Sequence, residues 1–387
     1  MNISNRSTKG PSRSRHEKLA LELSALPTAA GREDRVQAYL DQWLQRRRNN
    51  LRWRRDADGN LLITSRNRSR KAPLLFTAHL DHPGFVVSEV LDDRTLIAEF
   101  RGGVMDPYFK NARIECFDAK DHRVRGKVLD LEAAEPFKKA KIRLDRSMPS
   151  VQPGDLVRWA FPPARITGRG NHRQLHTNAC DDLAAAASAL AAFDRIRRRK
   201  GMGHVGLLFT VAEEVGFVGA IGAAQNGFVS KNTRLICLEN SRASEDCPIG
   251  AGPVVRVGDR LSVFDPGLTN RISELATAYA AKHDSFSWQR KLMVGGACEA
   301  TAFSALGFTA TCLCLPLGNY HNMQRIDEVR GGERPARVGR EFVSVNDFHG
   351  LIELLELIAD GLDEPGNDLP RRLATLRRRN AVVFERR

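Results

Sequence analysis

Apolar and polar positions alternate along this chain with two different periods, and the changes of period divide it into parts. HEKLALELSAL and GREDRVQAYLDQWLQRRR carry apolar residues at helical spacing and predict two helices before Asn50. LRWRRDADGNLLITS reads as a hairpin turning at Asp58-Gly59. PLLFTA is the first continuous apolar run and predicts a buried strand. From about Val86 to about Arg173 short alternating strands take over: FVVSEVL, RTLIAEF, ARIECF, RVRGKVLDL, KIRLD and DLVRWAF, punctuated by Gly, Pro and Asp turns. Their even spacing predicts a small antiparallel barrel. From Cys180 onward strands and helices alternate. DDLAAAASALAAFDRIRRR is an Ala-rich helix, VGLLFTV a buried strand, GFVGAIGAAQ a short helix and TRLICL a strand. RISELATAYAAKH and FHGLIELLELIADGL are helices flanking the strand FTATCLCL.

The pattern predicts an α/β protein, a mixed open sheet with helices on both faces, into which a small antiparallel β-barrel is inserted. The expected boundaries are a disordered basic tail at 1–16, a first part of the main domain at 17–86, the barrel at 87–173, a second part at 174–365 and a basic C-terminal tail at 366–387.

Composition narrows the class. With 387 residues, 42% hydrophobic and 27% charged, the chain can bury a sizeable core, and no apolar run approaches the roughly 20 residues of a membrane span, so no membrane partner is expected. MNISNRSTKGPSRSRHEK lacks the apolar stretch of a secretory signal, although its Arg and Ser content has a transit-peptide flavour. Seven cysteines without metal-site spacing point to a reducing compartment, and the cytoplasm is the expected location. The formal charge of +14 sits mostly in the N-terminal tail, around Arg46 to Arg55, at Arg195 to Lys200 and at Arg371 to Arg387. The middle two runs end amphipathic helices, where cations complement the helix dipole. No zinc-finger, RRM or KH signature accompanies them, so nucleic acid is not the expected partner.

Candidate chemistry gathers at strand ends. PLLFTA runs into His79 and Asp81, VGLLFTV into Glu213 and Glu214, TRLICL into Glu239, and TCLCLPLG into Asn319, Tyr320 and His321, while Asp181 and Asp182 open the Ala-rich helix. In open α/β sheets the carboxyl ends of strands border the ligand crevice, so these residues have one place to meet. Carboxylates and imidazoles gathered there would repel and desolvate one another without cations. Mixed N and O ligation suits zinc, cobalt or manganese, and a bridging carboxylate permits two divalent ions.

As an ordered set, H-x-D in AHLDHPGF, D-D in ACDDLAA, E-E-V-G, the acidic residue ending ICLE and the late His in GNYHN resemble the di-zinc aminopeptidases of the tetrahedral, deblocking or glutamyl type, in the clan of co-catalytic zinc exopeptidases. The resemblance spans about residues 21–362, and QPGDLVRW resembles the end of that family's barrel. It implies His79, Asp181 and Glu239 around one metal and Asp181, Glu214 and His321 around the other, with Asp181 bridging. It implies Glu213 as general base toward a metal-activated water, and Asp81 as the carboxylate orienting the His79 ring. It implies peptide substrates and a homo-oligomer, since the family's barrels support dodecameric shells. Glu239 where the family usually has Asp, Leu183 after the D-D pair, and GGACEATAF in place of a Gly-Thr-Asp-Ala stretch are departures that bear on the substrate pocket.

Competing readings attach to the same residues. Asp181 or Asp182 could simply cap the helix that follows. Asn240 and Glu245 are stand-ins for Glu239, and His82, His172, His176 and His204 receive no role. A Cys298–His321 thiol pair would leave the acidic cluster unexplained. A deacylase or carboxypeptidase-like amidohydrolase would share the site, and a nucleic-acid or ribosome-associated protein would use the scaffold without catalysis.

Overall fold

The computed structural model describes residues 11–67, 69–366 and 369–384. Helices α1 (Pro11–Ser24) and α2 (Asp34–Gln45) precede strands β1 (Leu51–Arg55), β2 (Leu61–Ser65) and β3 (Leu74–His79). The barrel strands follow: β4 (Gly84–Asp92), β5 (Thr95–Arg101), β6 (Arg113–Phe117), β7 (Arg123–Glu132), β8 (Lys138–Leu144) and β9 (Leu156–Trp159). Then come β10 (Arg165–Thr167), β11 (Gln174–Thr177), α3 (Leu183–Ile196), β12 (Val205–Thr210), α4 (Val218–Gln225), β13 (Arg234–Arg242) and β14 (Val254–Gly258). The chain continues through α5 (Pro266–Ala280), β15 (Gln289–Leu292), α6 (Glu299–Ala305), β16 (Thr309–Leu317), α7 (Ile326–Arg330), β17 (Glu341–Ser344), α8 (Val345–Gly361) and α9 (Leu369–Asn380).

Eight strands form one open sheet in the order β1-β2-β12-β3-β13-β16-β14-β15. Its centre, β12-β3-β13-β16, is parallel, whereas β2 and β14 join antiparallel to it. Side chains alternate across this sheet as strand geometry requires. Leu74, Phe76, Ala78, Leu207, Phe209, Ile236, Leu238, Leu313 and Leu315 pack with α1, α2, α3, α5 and α8. Their neighbours Leu75, Leu208, Leu235, Cys237, Ala310 and Cys312 pack with α4 and α6 on the other face. Both faces are thus covered, which is why these strands read as unbroken apolar runs. The small side chains of α3 let its backbone lie close to β3 and leave room for α1 and α8 on its far side.

The inserted strands close as β4-β5-β8-β7-β6-β9, an antiparallel barrel. Phe85, Phe100, Phe109 and Trp159 fill it, in contacts such as an edge-to-face approach of 4.7 Å between Phe100 and Phe109. Met323 and Ile326, from the segment after β16, pack into the same cluster.

The structure departs from the sequence expectations at three segments. Residues 160–173 were expected in the barrel, but β10 pairs with β11, and β11 pairs with β17 of the main body. The expected N-terminal tail at 1–16 lies outside the described residues up to 10, while α1 begins at Pro11. Arg13 pairs there with Glu353, giving those residues a docked partner that a polar, Arg-rich stretch did not announce. Residues 369–380 of the expected basic C-terminal tail form α9.

Helix α1 is held by an ionic cluster: Glu17 takes two hydrogen bonds from Arg173, at 2.9 and 2.6 Å, and lies 3.2 Å from His349 Nε2. Burial pushes the His349 imidazole down to about 4 against the pull of Glu17, and burial together with Arg195 and Arg15 pushes His16 down to about 4. Both rings are neutral in the folded protein but protonate near 6.5 once unfolded. Between those values the unfolded chain binds more protons, so their contribution is intact above about 6.5 and is lost as the pH falls toward 4. We expect the melting temperature to drop across that window, and to drop less when His16 and His349 are both replaced by Asn, as measured by thermal unfolding at a series of pH values.

Candidate metal centre

The four parallel strands deliver their carboxyl ends to one edge. His79 is the last residue of β3 and lies in register with Thr210, the last of β12, so Glu213 and Glu214 emerge beside it. Glu239 is on β13, opposite Cys314. Beyond β16, the chain passes through Asn319, His321 and Asn322 with left-handed backbone, φ 55°, 52° and 62°. Such torsions are unfavourable for residues with a Cβ and persist only where surrounding contacts hold them.

At the centre Asp181 faces both histidines. Its Oδ1 lies 3.3 Å from His79 Nε2 and its Oδ2 3.6 Å from His321 Nε2. Glu214 Oε2 is 3.3 Å from His321 Nε2, and Glu213 Oε2 is 3.9 Å from His79 Nε2. Three donor sets converge, the ligand atoms within each set lying within 4.8 Å of one another: His79, Asp181 and Glu239; Asp181, Glu214 and His321; and His79, Glu213 and Glu214. Asp181 Oδ1 and Glu214 Oε1 are buried without a hydrogen bond among the described residues. Oxygens in that state are costly unless a cation takes them, so the donor set fits divalent metal.

The electrostatics say the same. Burial drives Glu213 and Glu239 well above the ordinary carboxylate range; Glu214 and Asp81 add to the effect at Glu213, while Glu213 and Asp181 do so at Glu239. Burial would raise Asp181 too, but the His321 and His79 rings facing it hold it low. Burial opposes charge on His79 and His321, yet Glu213, Asp181 and Asp81 raise the first, and Glu214 with Asp181 the second, well above neutral-imidazole values. A divalent cation in such a cluster supplies the positive charge that protons on the imidazoles would otherwise provide.

A frame of further groups holds these side chains. His79 Nδ1 lies 3.2 Å from the Asp81 carbonyl and 3.5 Å from Asp81 Oδ1, while the two Asp81 carboxylate oxygens accept the N–H groups of Glu213 and Glu214, both at 3.0 Å. Asp81 therefore positions the Glu213-Glu214 backbone as well as the ring. His321 Nδ1 lies 2.7 Å from Gly103 O, a carbonyl from the loop after barrel strand β5. A carbonyl can only accept, so His321 Nδ1 donates to it and Nε2 faces the carboxylates. Glu341, fully buried, accepts from Cys180 N at 2.7 Å and Asp181 N at 3.0 Å on Oε2, and from His321 N at 2.8 Å on Oε1. His82 bridges the Asp181 carbonyl at 2.6 Å and Asn322 Oδ1 at 3.0 Å.

Other residues considered from sequence fall elsewhere. Asp182 occupies the N-cap position of α3 without a capping hydrogen bond; its Oδ1 instead accepts from Asn240 Nδ2 at 2.8 Å. Asn240 is thereby committed to the frame, and Glu245 is exposed. His176 stacks on Phe342, and Cys298 is buried at the start of α6. Glu341, Gly103, Glu299 and a role for His82 were not foreseen. Glu299 falls in GGACEATAF, the departure already noted; it is buried, lies 3.5 Å from Thr77 Oγ1, and burial pushes its carboxyl up to about 7. Beside His321 opens a cleft of about 200 Å³ lined by Arg242, Asn319, Tyr320, Arg325 and Asp327.

Residues 59–331 match the sequence profile of the M42 glutamyl aminopeptidases. The chain belongs to the M42 family. It is a metal-dependent aminopeptidase, a hydrolase of peptide bonds. Solved structures share its fold. The TET1 peptidase of Pyrococcus horikoshii, described as assembling into a tetrahedron or a large octahedral shell, is 20% identical with a TM-score of 0.70 over 89% of this chain and 99% of its own. The aminopeptidase APDkam598 of Desulfurococcus kamchatkensis is 18% identical, TM-score 0.70, over 90% and 95%. The M18-family aminopeptidase of Thermotoga maritima is 14% identical, TM-score 0.62, over 91% and 97%.

The M42 profile ends at residue 331, short of Glu341, whose three hydrogen bonds join the Asp181 and His321 segments. Glu341→Gln, keeping shape but removing one acceptor oxygen, is expected to weaken metal retention by a factor of about 10–100. Chelator competition checks this, and an unchanged affinity would show the three bonds to be dispensable for metal binding.

Proposed function

We propose that this M42 aminopeptidase holds two divalent metal ions, zinc in the first instance, one on His79, Asp181 and Glu239 and the other on Asp181, Glu214 and His321. The observation that carries this reading is the placement of Asp181, whose two oxygens face different histidines from the middle of the cluster. When bound, such a pair supplies positive charge that acidifies water and polarises the scissile carbonyl. Glu213 is the general base. Its carboxylate stands at the edge of the ligand set and its backbone is held by Asp81, which positions it to take a proton from water. The same carboxyl then returns that proton to the departing amine nitrogen. Asp81 and Glu341 hold the ligand-bearing segments in register, so the carboxylates need little rearrangement.

The excess of buried carboxylate favours a substrate with a free, positively charged N-terminus. A homo-oligomer is supported by two likenesses, the TET1 shells and a second TET1 structure described as a dodecamer. All seven cysteines are free and buried, in keeping with a cytoplasmic protein.

Metal analysis of protein purified without chelator should find about two ions per chain. Glu213→Gln should lower kcat by a factor of about 10²–10⁴ with metal content unchanged. Full activity in that variant would remove Glu213 from the mechanism, and cleavage of N-acetylated aminoacyl amides in preference to free-amine ones would favour the deacylase reading instead.

A further inference from the structure

The arginine runs of this chain fall into two kinds. In the mid-chain runs six arginines are paired with carboxylates: Arg47, Arg197 and Arg198 converge on Asp194, Arg195 and Arg199 on Glu356, and Arg55 on Asp41. The C-terminal run is different. Residues 369–387 carry seven arginines against one glutamate, and no ion pair forms to Arg372, Arg377, Arg378 or Arg379 among the described residues. The helix that bears them packs chiefly against the 3₁₀ turn Ala381–Phe384 that follows it. The body reaches its edge just before, where Asp363 pairs with Arg234.

Leu373 and Leu376 lie three positions apart and share one face of α9, with Arg378 opposite them and Arg372, Arg377 and Arg379 on the flanks. Leu373 is 55% and Leu376 53% exposed; Val382, Val383 and Phe384 extend the apolar surface at 51%, 65% and 71%. A surface of this kind, an aliphatic strip flanked and backed by arginines, matches the interface of an anionic bilayer, where the flanking arginines meet headgroup phosphates and the aliphatic strip enters the acyl boundary. Nucleic acid would use the arginines but leave the aliphatic face in water. Pairing of α9 with the same helix of a second copy would bring arginine against arginine. Twelve helical residues span only about 18 Å, so the helix lies on a bilayer and does not cross it. No helix among the described residues is long and apolar enough to cross.

We propose that residues 369–384 are a peripheral anchor that lays this peptidase on an anionic phospholipid surface. The sequence expectation of no membrane partner is revised to that extent, and the metal site and its chemistry stand independently of it. The test is flotation of the full-length, metal-loaded protein with vesicles of phosphatidylcholine alone and with about one-third phosphatidylglycerol, at about 0.15 M salt. Binding is expected only with the anionic vesicles. Leu373→Ser with Leu376→Ser, which leaves every arginine in place, should weaken that binding at least about tenfold. Arg377→Gln, Arg378→Gln and Arg379→Gln together should weaken it by about a hundredfold. Hydrolysis of a soluble aminoacyl substrate should be unchanged in both variants. The proposal is overturned if anionic vesicles are not bound, if the serine variant binds them as well as the parent, or if the same leucines are needed for RNA binding or self-association while vesicles are ignored.

Discussion

The constraint on which this molecule turns is the burial of negative charge at one edge of a sheet. Asp81, Asp181, Asp182, Glu213, Glu239, Glu299 and Glu341 are all buried within one neighbourhood, and His79 and His321 are its titratable counterweights. Removing an ion from water costs several kcal/mol unless partners replace its hydration, at roughly that order for each group. The surrounding architecture supplies those partners. Parallel strands at the centre of the sheet aim their carboxyl ends one way, and the helices on both faces exclude water from beneath.

The carboxylates divide by what satisfies them. Asp81 and Glu341 spend their oxygens on backbone N–H groups, as does Glu33, which accepts from Gly31 and Ala212 at 2.9 and 3.0 Å. Each ties together segments distant in sequence: β3 to the loop after β12, β17 to the start of α3 and to the loop after β16, α2 to the loop after β12. Asp181 and Glu214 each keep a buried oxygen without a hydrogen bond. Asp81, Glu341 and Glu33 make the frame, while Asp181 and Glu214, unlike Asp182 and Glu299 with their own unpartnered oxygens, lie in the converging donor sets. Both populations are needed, because ligands held by a loose frame would drift apart under their mutual repulsion.

This division explains what could be read from the sequence. The sheet was legible because strands covered on both faces are continuous apolar runs, and the ligand candidates because each such run ends abruptly in a charged side chain. His79, Glu213, Glu214, Glu239 and His321 all carry that signature, and the structure brings them together with Asp181. Glu341 carries no such mark: it begins a four-residue strand after a polar loop, and only the pairing of β17 with β11 carries it under Asp181. Gly103 contributes a carbonyl, which any residue possesses, so no residue type could have pointed to it. His82 was passed over because its partners, the Asp181 carbonyl and Asn322, lie about 100 and 240 residues away. Helix α9 was read as a tail because arginine-rich composition says little about helicity once the apolar positions are few.

The barrel's part in the site follows from the same geometry. Its loop after β5 supplies the acceptor for His321 Nδ1, and its core takes in Met323 and Ile326, on the far side of His321. Tyr108, also from the barrel region, donates its hydroxyl to Gln324 O at 2.5 Å. The segment bearing His321 is therefore clamped between Glu341 on the main-body side and the barrel on the other, which is how three left-handed residues in four can be sustained there. A separate insertion would leave the metal edge unchanged when it shifted. This one cannot move away from the sheet without withdrawing the hydrogen bond that sets the orientation of a histidine in the ligand cluster, so barrel placement and ligand geometry are a single property of the fold.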